Sequence, residues 1–164
     1  MKGTVMGLDQ YLSARKYVSG SEYASEQDRT ALGGIVRALD AESVVNGYNG
    51  FAQSAVISLS VAYWRKANQI HNWFVNNCAD GVDDCRPVYV SREQLTELRD
   101  LCQQVKDGGA EVANELLPPS VGFFFGSDEI DEWYWQNIDD TIDRLTSVLA
   151  QTPEDWDFIY EASW

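Results

Sequence analysis

The chain has 164 residues, 45% hydrophobic and 12% aromatic, which is enough for one well-buried core and too few for two. Its net charge of −14, with the basic residues spread thinly and forming no patch, excludes direct binding of nucleic-acid phosphates. The opening MKGTVMGLDQYLSARKYV has no apolar run of signal-peptide length, and the most apolar window, AVISLSVAYW, falls far short of the ~20 residues a membrane helix needs, so no membrane partner is expected.

In chain order, residues 6–18 mix Leu8, Tyr11 and Val18 with charges and read as an extended segment. Residues 19–30, SGSEYASEQDRT, read as a mobile polar connection. ALGGIVRAL at 31–39 is a short helix or strand, its paired glycines weakening the helical alternative. NGYNG at 46–50 reads as a turn and VISLS at 56–60 as a strand.

YWRKANQIHNWF, 63–74, projects well onto a helix: Tyr63, Ala67, Ile70 and Phe74 form the buried stripe, while Arg65, Gln69 and Asn72 lie opposite. Trp64, Asn68 and His71 share the flanking edge at i, i+4, i+7. ADGVDD after it is a solvated turn. Ser91-Arg92-Glu93-Gln94 has the capping-box pattern, Leu95, Leu98, Leu101, Cys102 and Val105 follow at helical spacing, and Gly108-Gly109 supplies the stop. Phe123 to Phe125 read as a strand with Ser127 as the next helix cap. That helix carries Ile130, Tyr134, Ile138, Ile142, Leu145 and Leu149, and ends at Thr152-Pro153. The closing DWDFIYEASW alternates as a strand. The fold class is therefore α+β, a predominantly helical single domain over 1–164 with a small β-sheet.

Charge is concentrated at the end. From Asp128 onward there are eleven acidic residues against one basic, Arg144, a surface that attracts basic proteins. Three cysteines, Cys78, Cys85 and Cys102, fit a reducing cytoplasm better than a disulfide scaffold.

The edge Trp64, Asn68 and His71, with Arg65 and Lys66 in reach, is the candidate ligand site: an aromatic plate for a purine or nicotinamide ring and two cations for a phosphate. Phe123, Phe125 and Asp84 are its additional candidates. The plainer alternative makes Trp64 a cap on the core rim and His71 an ordinary hydrogen-bonding partner. No metal is expected, because His71, Cys78 and Cys85 lack a close ligand pair and DGVDDC lacks the calcium-loop spacing. GFFFGS lacks the lysine of a phosphate loop and is followed by Asp128 and Glu129, which repel an anion. No cofactor is called for, and catalysis has little support: no nucleophile elbow is present, and a Cys–His pair would rest on the single histidine.

The blocks MGLDQYL (6–12), YWRKANQIHNWFV (63–75), DGVDDC (80–85), LLPPSVGFFFGS (116–127) and the final ASW resemble a family of small uncharacterised tailed-bacteriophage proteins. The resemblance implies a phage gene acting in the bacterial host cytoplasm and brings no established catalytic residues. The chain departs from that pattern in Met1–Val5, an extra start, in Gln10, where methionine is common, and in the insert 19–30. The resulting expectation is a counter-defence accessory protein that binds and sequesters a small nucleotide-derived molecule. The alternative is an acidic, DNA-mimicking inhibitor of a basic host protein, and a small hydrolase stands third. The sequence leaves the oligomeric state open, a homo-oligomer included.

Overall fold

Strand β1, Asp9–Ser19, alternates buried Gln10, Leu12 and Ala14 with more exposed neighbours, the period-two signature of a half-buried strand. The computed structural model describes residues 7–45, 53–120 and 126–164. After β1 come α1 (Glu26–Ala38), α2 (Glu42–Val45), β2 (Ser54–Arg65), α3 (Asn68–Cys78), β3 (Val88–Val90), α4 (Arg92–Leu116), α5 (Glu132–Gln151) and β4 (Asp157–Ser163). Helices and one four-stranded sheet in the order β2-β1-β4-β3 make the fold α+β. The last pair is antiparallel, with Val88 opposite Tyr160 and Val90 opposite Phe158.

The chain divides into two compact units, one of residues 1–14 with 60–164 and one of residues 15–59. In the larger, Leu8, Leu12, Trp64, Ile70, Phe74, Leu95, Leu98, Ile138, Leu145, Phe158 and others form one apolar core. Phe74 is its centre: it stacks on Tyr160 at 3.9 Å between ring centroids and takes the edge of Trp73 at 5.3 Å. The smaller unit buries Val18 and Leu32. Its helix α1 begins where the polar segment 19–30 was expected to be loop, because the Ser25 hydroxyl accepts from the Asp28 amide and closes the first turn.

The capping box at Ser91 is formed in full, with Gln94 N to Ser91 Oγ at 3.1 Å and Ser91 N to Gln94 Oε1 at 2.9 Å. The stop expected at Gly108-Gly109 is a kink instead: Gly109 leaves the helical region at φ 74°, and the chain is helical again up to Leu116. The following helix starts five residues later than Ser127, at Glu132, because Asp131 is the side chain that caps it, accepting from the Tyr134 amide at 3.0 Å. Its far end is closed by Arg92, which donates to Leu149, Thr152 and Pro153 carbonyls and lies 5.4 Å over the Phe158 ring. Strand β3 carried no readable signal, being three residues long. Phe123 to Phe125, expected as a strand, and NGYNG, expected as a turn, lie outside the described residues.

One expectation is corrected outright. YWRKANQIHNWF is not one helix: Tyr63, Trp64 and Arg65 end β2, Lys66 turns the chain at φ 56°, and helix α3 starts only at Asn68. Tyr63, assigned to the buried stripe, is 40% exposed, and Gln69, assigned to solvent, is buried. Both periodicities fit these residues. Alternate burial of Ala62 and Trp64 against Tyr63 and Arg65 is the strand's. The helix's true start was unreadable because its N-cap, Ala67, makes no side-chain cap.

Candidate ligand-binding cleft

The turn between β2 and α3 sends its side chains to two different environments. Trp64, next to last in its strand, points into the core and is buried, its Nε1 donating to Thr141 Oγ1 at 2.9 Å; Thr141 in turn donates to the Asn137 carbonyl. It is therefore not available as a stacking plate. Asn68, in the first turn of α3, is buried as well and bonds both Ser120 N (2.9 Å) and Ser127 O (2.8 Å).

His71 is one turn further along α3 and sits in a chain of side-chain hydrogen bonds. Its Nδ1 lies 2.8 Å from Tyr160 Oη and its Nε2 3.0 Å from Asp83 Oδ2. Tyr160 donates to Gln10 Oε1 at 3.0 Å, and Gln10 Nε2 donates to the Ala67 carbonyl at 3.1 Å. Tyr160 and Asp83 thus flank the imidazole, one at each ring nitrogen. Asp83 uses its other oxygen to accept from Trp164 Nε1 at 3.1 Å. Burial, and then the Asp83 charge, hold the Tyr160 phenol well above its usual range, so it stays neutral and serves only as a hydrogen-bonding group. The space beside this network, lined by His71, Asp83, Cys85 and Tyr160 among others, has a volume of about 10 Å³, room for one water and no substrate. Asp84 borders it, paired with Arg86 at 3.6 Å.

Two of the three thiols, Cys78 and Cys102, are equally unsuited to attack. Burial pushes Cys78 up to about 12, with a smaller contribution from Glu97, and burial alone pushes Cys102 up to about 12. Neither supplies a thiolate near neutrality. Among the described residues no group of three or more His, Cys, Asp or Glu side chains is placed to hold a metal ion.

Arg65 and Lys66 have the opposite environment. Both are exposed and line a cleft of about 600 Å³, completed among the described residues by Gly126, Ser127, Trp133 and Asn137. A volume of this size suits a drug-sized or nucleotide-sized molecule. Trp64 is buried, whereas Trp133, in the first turn of α5, is 71% exposed and lines this cleft. The signal for it was present but unread: Trp133 lies outside the apolar stripe Tyr134, Ile138, Leu145, so a large ring there has no core to enter.

The two cations converge. A Cβ built on Gly7 would lie 3.4 Å from Lys66 Cε and 3.7 Å from Arg65 Nη2, so both side chains pass over the same glycine. Arg65 is partly balanced by Asp9 at 3.9 Å, and the same Asp9 oxygen accepts from the Tyr63 hydroxyl, which fixes the carboxylate. Lys66 holds a left-handed backbone that costs a non-glycine residue ~1 kcal/mol or more. Gly126, at φ 101°, packs so closely on it that an added Cβ would meet the Lys66 carbonyl at 3.0 Å. Of the sequence-predicted residues, then, the structure brings Arg65 and Lys66 together at an open cleft and turns Trp64, Asn68 and His71 into the interior. Phe123 and Phe125 lie outside the described residues.

No family model, no curated protein and no solved structure matches this chain. Among the described residues, no helix is long and apolar enough to cross a membrane.

Proposed function

We propose that this protein binds a small, anionic, ring-bearing molecule of the nucleotide class in the cleft between Lys66 and Trp133, and acts by holding it rather than transforming it. The observation that carries the reading is the shared cleft itself: an exposed indole with two convergent cations in a strongly acidic chain. A base or nicotinamide ring stacks on Trp133, a phosphate takes Arg65 and Lys66, and Asn137 offers an amide to the ring edge. The saturated His71 network and the protonated Cys78 and Cys102 thiols favour binding over catalysis.

The resemblance to phage proteins extends the proposal to a host bacterial cytoplasm and to a counter-defence role in which the sequestered molecule is an immune signal. The test is a calorimetric and thermal-shift screen of cyclic dinucleotides and ADP-ribose derivatives with the full chain. Binding of at least one, weakened by Trp133→Ala, is the expected result; no heat and no shift with any member of the panel rejects the reading.

The acidic-inhibitor alternative is less well supported, because much of the acidic face of α5 is used internally. Asp131 caps the helix, Asp139 lies 2.7 Å from Lys106, and Asp140 pairs with Arg144 at 3.6 Å. Capture of a basic protein that collapses between low and high salt would restore it.

A further inference from the structure

We infer that Asn68 is the positioning residue of the cleft, setting the place of the Gly126–Ser127 wall relative to Lys66 without touching the ligand itself. The inference rests on the cleft reading above. Asn68 follows the cleft cation Lys66 by two residues, is buried, and does not line the cleft. Its amide is used at both ends. Oδ1 accepts from Ser120 N at 2.9 Å, and Nδ2 donates to Ser127 O at 2.8 Å, so one side chain in α3 holds two residues that are seven apart in the chain and far from it in sequence.

Gly126 completes the arrangement. The space for its missing Cβ is bounded by the Lys66 carbonyl at 3.0 Å, Lys66 Cβ at 3.2 Å and Asn68 Nδ2 at 3.8 Å. Between Gly126 and the backbone of the cation that faces it there is therefore no room for a side chain. The position of the Gly126–Ser127 wall is decided by one amide acting as donor and acceptor together, since an aliphatic side chain at 68 offers neither bond and a carboxylate offers only the acceptor. Losing the donor leaves the Ser127 carbonyl without the bond that fixes it, and a wall displaced by even ~1 Å misaligns groups that must meet one ligand at once.

Three measurements with the full chain test this. First, Asn68→Ala should weaken binding of ADP-ribose and of inorganic pyrophosphate by about tenfold or more, the scale of a lost buried hydrogen-bonding partner. Second, Asn68→Asp should bind weakly at about pH 8, where the introduced carboxylate faces the Ser127 carbonyl. It should recover as the pH falls toward about 5, because the neutral carboxyl can donate to Ser127 while accepting from Ser120. The quantity read is the variant's affinity divided by that of the natural chain at each pH, so the nearby charges of Lys66, Arg65 and Asp9, present in both proteins, cancel. A purely structural role would give no such recovery of binding. Third, amide exchange at Ser120 should accelerate in Asn68→Ala and remain slow in Asn68→Asp, which keeps the acceptor.

A flat affinity ratio across pH, or probe binding by Asn68→Ala equal to that of the natural chain, overturns the inference while leaving the cleft reading intact. If the natural chain binds neither probe, the cleft reading fails. Ser120 exchange then still decides whether the Asn68 amide makes the acceptor half of its bridge, and unchanged exchange in Asn68→Ala overturns the bridge on which the inference rests.

Discussion

Two regions that share nine consecutive residues, Tyr63 to His71, behave as opposites. At His71 one chain of side-chain hydrogen bonds runs from Trp164 through Asp83, His71, Tyr160 and Gln10 to the Ala67 carbonyl, in a setting with space for one water. Around Arg65 and Lys66 the groups face about 600 Å³ of open volume beside an exposed indole, with one residue in a strained backbone. Closed networks hold the fold together, since an unsatisfied member costs ~1–3 kcal/mol, whereas exposed rings, cations and backbone strain have no such return to stability.

Substitutions in the two regions should have opposite consequences for stability and for binding. The largest effect should come from His71→Ala, which removes a packed ring and strands Tyr160 and Asp83. Chemical denaturation should show a loss of about 3 kcal/mol, with nucleotide-probe affinity unchanged at temperatures where the variant is folded. A variant that keeps its stability and loses binding would move the site back to His71.

Alkali should strike the closed interior next. Cys78 and Cys102 are raised from about 9 to about 12 in the fold, so the native state holds protons that the unfolded chain releases in that interval. Stability is then fully present below about pH 9 and falls as the pH climbs toward about 12. Denaturation midpoints measured across that window should decline, and Cys102→Ala should flatten the decline. A pH-independent midpoint would contradict the burial assigned to these thiols.

In the open region, Trp133→Ala should cost about tenfold or more in affinity for a ring-bearing probe, matching the ~1–3 kcal/mol of ring stacking, while the melting temperature hardly moves. Loss of affinity for pyrophosphate to the same extent would argue against stacking as its role. Smallest is Lys66→Gly, where the signs should part: relief of the left-handed backbone stabilises the fold by up to about 1 kcal/mol, and loss of the ammonium weakens phosphate-bearing probes and lowers the salt dependence of their binding. If both quantities fall together, the strain is not stored at Lys66.

What could be read from the residues was what local rules decide. The capping box at Ser91, the apolar spacing of α4 and α5 and the alternation of β4 are determined by neighbours within a turn or a pleat, and the sequence carries them openly. It also carried the pair Arg65 and Lys66 as cations with no partner close in sequence. The rest needed the tertiary structure. Tyr63 to Phe74 satisfies a strand period at its start and a helix period throughout, and only the sheet and core around it chose between them. That choice turned Trp64 toward Thr141 and His71 toward Tyr160, 77 and 89 residues away, and left Trp133 to supply the aromatic face beside Lys66. Local periodicity says which residues share a side of an element; which sides meet, and whether they meet packed atoms or open space, depends on chain segments brought together from far apart, because burial and hydrogen-bond satisfaction are properties of the assembled core.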